Sequence, residues 1–136
     1  MTPGKPVHVL VVDDVLEWRV RIRSILQQRP EWHVIGEACN GLEAVQRTEE
    51  LRPDIVLLDI RMPILNGIEA AKRIRQDSPH SRIIFVTQEN DAEIKVAALA
   101  TGAEGYLLKA NAQNQLLSII EAALRDGHDA RAFPFD

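Results

Sequence analysis

The sequence predicts an α/β domain in which five parallel strands form a doubly wound sheet with helices on both faces. Five short apolar runs alternate with five stretches of helical periodicity, in units of about 25 residues. The runs are continuously apolar, which is typical of strands buried on both faces. We therefore predict one domain over residues 1–127. Residues 128–136 show no helical period and are predicted to form a C-terminal tail.

Each predicted strand is a short apolar run that ends at a polar residue or a turn. The first run is interrupted only by His8, and the third, Ile55-Val56-Leu57-Leu58, contains two β-branched residues and leads directly into Asp59. Runs of this length bounded by turn residues indicate buried strands. In chain order the predicted strands are Val7–Val12, 33–38, 55–59, 83–87 and Gly105–Leu108.

The predicted helices follow the strands and have recognisable boundaries. Pro30 closes the first helix, in which apolar residues recur from Leu16 onward. The turn Asn40-Gly41 precedes the second, and Asp91 is expected to cap the fourth. In order the remaining signals are Asp77-Ser78-Pro79 after the third helix, Thr101-Gly102 after the fourth, and Gly127 after a fifth helix over 113–125.

The composition is that of an ordinary soluble globular domain. The 136 residues are 46% hydrophobic and 26% charged, with a formal net charge of -4. This charge gives the chain alone no electrostatic reason to bind nucleic acid or an anionic membrane. A single cysteine, Cys39, excludes an internal disulfide and a cysteine-based zinc site, and we expect it to be buried. With no apolar signal or membrane-spanning segment, we expect a cytoplasmic location.

Polar residues follow four of the predicted strands at the point where each strand ends. Because parallel strands end at the same edge of a sheet, these side chains should converge there if the strands are neighbours. Several carboxylates at one edge favour a hard divalent cation such as Mg²⁺. One carboxylate could then act as a nucleophile toward phosphorus, with a lysine and a hydroxyl orienting the phosphoryl oxygens. The residues are Asp13, Asp14, Asp59, Thr87 and Lys109.

Each of these residues has a plainer interpretation when taken alone. An Asp-Asp pair after a strand commonly caps a helix, a threonine at a strand end is commonly a turn residue, and a lysine there is commonly solvated. The order of acid pair, lone acid, hydroxyl and lysine, each closing a buried strand, is much less expected by chance. The set as a whole therefore favours a phosphoryl-transfer site.

These residues, together with the motifs around them, resemble the receiver domains of two-component response regulators. The similarity extends from Val7 to about Arg125, and its wording resembles the NarL/FixJ/LuxR type, whose receivers usually precede a helix-turn-helix domain. It implies a flavodoxin-like sheet of order 2-1-3-4-5. The matching motifs are Val-Val-Asp13-Asp14, Asp59-Ile-Arg-Met-Pro63 with Gly67, Thr87, Gly102-Ala103 before Tyr106, and Lys109.

The resemblance implies a role for each matching residue. Asp59 would accept the phosphoryl group, and Thr87 and Lys109 would hold it. Mg²⁺ or Mn²⁺ would be bound by Asp59, directly by Asp14, wholly or partly through water by Asp13, and by the backbone carbonyl of Arg61. Tyr106 would be an aromatic switch residue that moves inward when Thr87 is drawn to the phosphate.

By the same resemblance, the chain would be a signalling switch and not an enzyme that turns over an external substrate. Its phosphodonor would be a sensor histidine kinase or a phosphotransfer protein, and the face of helix 4, strand 5 and helix 5 would carry the signal, or a homodimer contact. Three alternatives stay open. The chain could be a receiver excised from a DNA-binding regulator, a binding module, or an aspartyl-phosphate hydrolase. The last is disfavoured because Arg61 stands where such hydrolases place a second acid.

Two residues depart from the family pattern. Ala110 follows Lys109 where proline is common, so we expect a trans peptide bond and an altered start to helix 5. Gln88 follows Thr87 where a small residue is usual. We expect Gln88 to restrict access of phosphodonor or water to the site, and we expect Glu89 and Arg61, at the rim, to tune hydrolysis. An exposed ion pair between these two would contribute little.

Overall fold

A computed structural model describes residues 5–127 of the chain. The predicted tail, 128–136, lies outside this range, so the division into domain and tail stays a prediction. Within the described range the strands are Val7–Val12 (β1), Trp32–Ala38 (β2), Ile55–Leu58 (β3), Arg82–Thr87 (β4) and Gly105–Leu108 (β5). The helices are Leu16–Leu26 (α1), Gly41–Leu51 (α2), Gly67–Asp77 (α3), Ala92–Leu99 (α4) and Ala112–Ala122 (α5).

The five strands form one parallel sheet in the order β2-β1-β3-β4-β5, which confirms the predicted fold. Val12 pairs with Leu58, and Leu58 pairs with Phe85. Next to them, Thr87 pairs with Leu108. These registers bring the carboxyl ends of β1, β3, β4 and β5 to one edge, where the polar residues follow.

Alternate residues of the central strands build the two halves of the core. Val9 and Val11 pack with α1 and α5, whereas Leu10 and Val12 pack with α2 and α3. Both sides are needed because a strand in a parallel sheet is covered on both faces. Each buried valine or leucine contributes about 1.5–3 kcal/mol relative to an exposed one, so the apolar runs give the sheet its stability.

Side-chain caps fix the beginnings of three helices. The Asn40 side chain accepts a hydrogen bond from the backbone of Glu43, and that of Asn66 accepts one from Glu69. Asp91 accepts from the backbone N–H of Glu93 at 2.8 Å, which confirms its predicted capping role. These caps satisfy backbone donors that have no partner within the helix.

The first helix ends earlier than predicted, and only part of its apolar set is buried. Helix α1 ends at Leu26, before Pro30, and Leu16 and Val20 are 58% and 57% exposed. Only Ile22, Ile25 and Leu26 of its apolar set are buried, because one face of the helix meets the sheet and the other two residues point away from it.

The last helix begins at Ala112, close to its predicted start, but it ends at Ala122, before its predicted end. A 3-10 turn over Lys109–Asn111 precedes α5, and a π-helical turn over Ala123–Gly127 follows it. The Lys109–Ala110 peptide is trans, as expected, in keeping with the trans geometry of every peptide bond in the described range. Cys39 is half-buried and lies 3.4 Å from a Glu43 carboxylate oxygen, so it is less buried than predicted. In the part of the chain described, no helix has the length and apolar character that a membrane crossing needs.

A close approach of two backbones holds the start of α3 against the end of β3. The Gly67 N–H donates to the Ile60 carbonyl at 2.7 Å. A Cβ atom on Gly67 would stand 1.9 Å from the carbonyl oxygen of Asp59. Only glycine allows this approach, which places the β3–α3 segment beside Asp59.

Candidate functional site

A buried ammonium lies between two buried carboxylates at the carboxyl edge of the sheet. Lys109 Nζ donates a hydrogen bond to Asp59 Oδ2 at 3.0 Å and lies 2.8 Å from Asp13 Oδ2. The three residues are 5%, 6% and 1% exposed, respectively. In such surroundings an ion pair is screened far less than at the surface. The ammonium therefore compensates the mutual repulsion of the two acids.

Asp13 is held rigidly at the end of β1. Its N–H donates to the Ala38 carbonyl at 3.0 Å, and its Oδ1 accepts from the N–H of Val15 at 2.9 Å. Burial raises the pKa of the Asp13 carboxyl, an effect that Lys109 and the Val15 N–H partly offset. Helix α1 begins after Val15 without a side-chain cap, so helix capping does not account for the acid pair.

Asp59 follows β3 and is fixed by its own neighbours. Its N–H donates to the Val12 carbonyl at 3.1 Å, and its Oδ1 accepts from the N–H of Ile60 at 2.7 Å. With Lys109 on Oδ2, both carboxylate oxygens have a donor. The carboxylate is thus oriented and kept at the edge where strand ends and solvent meet.

Asp13, Asp14 and Asp59 form an acidic group that fits a divalent cation. One carboxylate oxygen from each lies within 4.8 Å of the others. Asp13 Oδ2 is buried and forms an ion pair with Lys109. Among the residues that the structure describes, it accepts no well-directed hydrogen bond. Asp14 is exposed, which leaves one side of the group open to water. Carboxylates with water on one side are the ligands that Mg²⁺ and Mn²⁺ prefer.

Lys109 keeps its charge despite burial. Burial alone would lower the pKa of its ammonium, but the hydrogen bonds and charges of Asp13 and Asp59 outweigh this and raise the pKa above its usual 10.5. A lysine that stays protonated at all physiological pH values supplies a fixed positive charge next to Asp59.

Thr87, Glu89 and Tyr106 form a connected group beside the acids. Thr87, buried at the end of β4, accepts a hydrogen bond on Oγ1 from the Glu89 N–H at 3.2 Å. The Tyr106 hydroxyl donates to the Glu89 carbonyl at 2.7 Å. The Glu89 carboxylate pairs with Arg61, whose side chain is mostly exposed. The effect of Arg61 and Glu89 on hydrolysis and the role of the Arg61 carbonyl stay predictions.

The Tyr106 ring is half-buried between an aromatic and a cationic neighbour. Its centroid lies 6.3 Å from that of Phe85 and 5.7 Å from Lys95 Nζ. Desolvation raises the pKa of the Tyr106 phenol, with smaller contributions from the charges of Glu89, Asp59 and Asp91. The ring therefore connects the strand ends to α4.

Gln88 is exposed and lines a pocket that Lys109 also lines, and its effect on access to the site stays a prediction. The pocket has a volume of about 490 Å³ and lies at the junction of α1, the β4–α4 loop and the start of α5. Its polar lining residues are Trp18, Arg21, Gln88, Asn90, Lys109 and Gln113.

Two residues of α1 belong to the site and were not found by sequence reasoning. The Trp18 ring lies over Lys109, with 4.9 Å from Nζ to the ring centroid. Arg19 donates one hydrogen bond from Nη1 to the Asp13 carbonyl at 2.7 Å and one from Nε to Glu37 Oε1 at 2.7 Å. A large aromatic residue four positions after Asp14, at the start of an amphipathic helix, is the signal that could have indicated Trp18.

Comparisons with known proteins agree with this geometry. Residues 9–121 match the response regulator receiver domain family. The chain is 36% identical over 123 residues to the nitrate/nitrite response regulator protein NarL of Escherichia coli K12, covering 90% of this chain and 57% of that protein. It is 39% identical over 102 residues to the chemotaxis protein CheY of Thermotoga maritima, covering 75% and 84%.

A solved structure shares the fold closely. It is a two-component response regulator of the LuxR family from Aurantimonas, with a TM-score of 0.83 and 33% identity over 88% of this chain and 86% of that one. The chain spans about half the length of NarL and of other transcriptional regulators that it matches. Since the receiver match covers most of the sequence, and the sheet and its acidic edge agree with it, this chain belongs to the response regulator receiver domains of two-component systems.

Proposed function

We propose that the chain is a phosphorylation-dependent switch in which Asp59 accepts a phosphoryl group from a sensor histidine kinase or a phosphotransfer protein. The observation that carries this proposal is the Lys109 ammonium bridging the buried carboxylates of Asp13 and Asp59. A buried lysine between two acids at a solvent-facing edge is costly for stability alone and suits a site where negative charge arrives.

The chemistry is a nucleophilic displacement at phosphorus. A carboxylate oxygen of Asp59 forms the new P–O bond, the bond between phosphorus and the donor imidazole nitrogen breaks, and its electron pair stays on the nitrogen. Lys109 neutralises charge on the phosphoryl oxygens, and the Thr87 hydroxyl is the hydrogen-bond donor available at the end of β4.

The residues that would hold the divalent cation are Asp13, Asp14 and Asp59, with the Arg61 carbonyl as a further ligand. When bound, Mg²⁺ or Mn²⁺ would offset the negative charge shared by the carboxylates and the phosphoryl group. Asp14 is the exposed member and would keep the cation accessible to water and to the donor.

The response would travel through Glu89. A phosphoryl group adds about 1.5 to 2 negative charges and three acceptor oxygens. If the Thr87 hydroxyl turns toward them, the hydrogen bond from Glu89 N–H changes, and Tyr106 is bonded to the same residue. The two arrangements form a bistable element whose populations the phosphate shifts.

The expected output face is formed by α4, β5 and α5. On this face Leu116 and Ile120 are fully buried, and Ile94, Leu117 and Leu124 are partly buried against the core. Leu99 and Val96 of α4 remain exposed. We assign to this face the partner or homodimer contact. Because the chain spans about half of its regulator relatives, a role as the receiver part of a DNA-binding regulator remains the alternative, and a cytoplasmic location remains a prediction.

The proposal is tested by incubation with acetyl phosphate and Mg²⁺, followed by intact-protein mass measurement. We expect a gain of one phosphoryl group that disappears in Asp59→Asn and persists in Asp77→Asn, which removes an exposed acid at the end of α3. No adduct on the unmodified protein, or the same adduct in Asp59→Asn, contradicts the proposal. Continuous turnover of phosphate esters would instead support the hydrolase.

A further inference from the structure

The Lys109 ammonium has a third neighbour besides the two carboxylates, the ring of Trp18. An ammonium has three N–H donors, and in this site Asp59 accepts one and Asp13 lies near another. The Trp18 ring lies 4.9 Å from Nζ, within the range in which the face of an indole attracts a cation. Indole is the strongest of the aromatic side chains in this interaction, and desolvation of the cation strengthens it.

The position of Trp18 in the fold allows it to hold this contact. It lies in the first turn of α1, directly after the segment that carries Asp13 and Asp14. Its backbone N–H donates to the Val15 carbonyl at 3.1 Å. The Arg21 guanidinium lies over the same ring, 5.2 Å from its centroid and three residues along the helix. The ring is therefore held by its own helix and not only by Lys109.

Trp18 and Lys109 line the same pocket at the sheet edge. The lysine is almost completely buried, although it follows a strand at the sheet edge, and Trp18 borders the same 490 Å³ pocket that opens beside it. Without the ring, water could reach the ammonium from this pocket, and Nζ could leave its place beside Asp59 and Asp13.

We propose that Trp18 is a positioning residue for phosphoryl transfer, whose ring face fixes the Lys109 ammonium at Asp59 by a cation–π contact. The inference rests on the proposed function, because it concerns the ammonium that meets the incoming phosphoryl group. It also makes Trp18 a reporter, since a change in the position of Lys109 changes the electric field at the indole.

The test uses the two tryptophans of the chain. Trp32 is the first residue of β2, at the end of the strand that lies away from the site. Trp32→Phe therefore leaves Trp18 as the single indole of the chain without changing a residue near the site. In this background we expect the fluorescence to change on adding Mg²⁺ with beryllium fluoride, a phosphoryl mimic. The matched variant Trp18→Phe, which keeps Trp32, should show no such change.

Rates separate the electrostatic role of the ring from its volume. Trp18→Leu fills the space without a π face and should lower the rate constant of phosphorylation by acetyl phosphate about tenfold, whereas Trp18→Phe should lose no more than about threefold. In the Trp32→Phe background, incorporation of mono-, di- and trifluorotryptophan should lower the rate in steps, because fluorine withdraws charge from the ring face.

The outcomes distinguish this inference from the function on which it rests. A stepwise decline with fluorination, together with retention in Trp18→Phe, supports it. If the unmodified protein is phosphorylated but the fluorinated series is flat or Trp18→Leu reacts at the same rate, the positioning role is overturned and the proposed function stands. If the unmodified protein takes no phosphoryl group, both are overturned.

Discussion

The Tyr106 hydroxyl donates a hydrogen bond to the backbone carbonyl of Glu89, with 2.7 Å between the oxygens. The N–H of the same Glu89 donates to Thr87 Oγ1. Thr87 and Tyr106 lie on neighbouring strands. The two hydrogen bonds connect them through a single residue, Glu89, of the β4–α4 loop. Any change in the partner of Thr87 therefore affects the residue that holds Tyr106.

Tyr106→Phe removes only the hydroxyl of this connection and keeps the ring beside Phe85. We expect the free energy of unfolding to fall by about 1 kcal/mol, the usual contribution of one hydrogen bond. Amide exchange in residues 88–91 should become faster. Ser118→Ala, which removes an exposed hydroxyl bonded to the Gln115 carbonyl, is the control and should leave this loop unchanged.

Mg²⁺ should stabilise the folded protein in the absence of any phosphodonor, because it relieves repulsion among three carboxylates that the unfolded chain does not hold together. At a hundredfold excess over Kd the gain in the free energy of unfolding is about 2.7 kcal/mol. Asp14→Asn removes an exposed ligand without disturbing the core and should lose most of this gain, whereas Asp77→Asn should keep it. An equal gain in Asp14→Asn, measured by urea unfolding, would exclude Asp14 as a ligand.

The phenol of Tyr106 should titrate above its usual pKa of 10.0 in the folded protein, because it is desolvated and faces Glu89, Asp59 and Asp91. Since Tyr106 is the single tyrosine of the chain, tyrosinate absorbance reports it directly. A folded pKa equal to or below that of the urea-unfolded protein would contradict this environment. Phosphorylation of Asp59 adds negative charge and should raise the pKa further.

The same shift makes stability depend on pH in the alkaline range. Between 10.0 and the raised folded pKa, the unfolded chain loses the Tyr106 proton before the folded protein does, so the free energy of unfolding falls as pH increases. Lys109, whose pKa is also raised when folded, acts in the same direction above 10.5. Tyr106→Phe should therefore reduce the decline without abolishing it, as urea unfolding at several alkaline pH values would show.

Gly67→Ala places a Cβ atom 1.9 Å from the backbone oxygen of Asp59, so the backbone must shift to accommodate it. We expect a loss of about 2–3 kcal/mol in the free energy of unfolding and weaker Mg²⁺ binding. In Gly36→Ala the new Cβ meets the end of the Leu51 side chain, 2.7 Å away, which can turn aside. That control should lose less stability and keep its Mg²⁺ affinity.

Gln88→Ala should open the pocket beside Lys109. If the amide restricts access of donor and water, the rates of phosphorylation by acetyl phosphate and of phosphate loss should both rise a few fold. Gln113→Ala truncates an amide of the same pocket on α5 and should change neither rate. Unchanged rates in Gln88→Ala would show that Gln88 does not limit access.

Much of the fold could be predicted because its signals are local. The apolar runs, the caps and the turns each depend on a few adjacent residues, and the parallel arrangement of the strands follows from their alternation with helices. The order of the strands was implied by the family resemblance and not by these local signals. Leu16 and Val20 lie on the first helix, as their spacing indicated, but they are exposed, because helical spacing does not show how a helix turns toward the sheet. Short turns such as the one at Lys109–Asn111 likewise depend on packing and not on local pattern.

The sequence by itself determined which residues close the strands, and hence that Asp13, Asp59 and Lys109 would lie at one edge of the sheet, because parallel strands end together; that they meet there depends on their strands being neighbours. Only the tertiary structure decided which side chains contact one another there. The contact of Trp18 with Lys109 and the hydrogen bond of Tyr106 to Glu89 join residues that are far apart in sequence. Such contacts depend on side-chain directions across elements, which are set when helices and loops pack on the sheet and which no local pattern encodes.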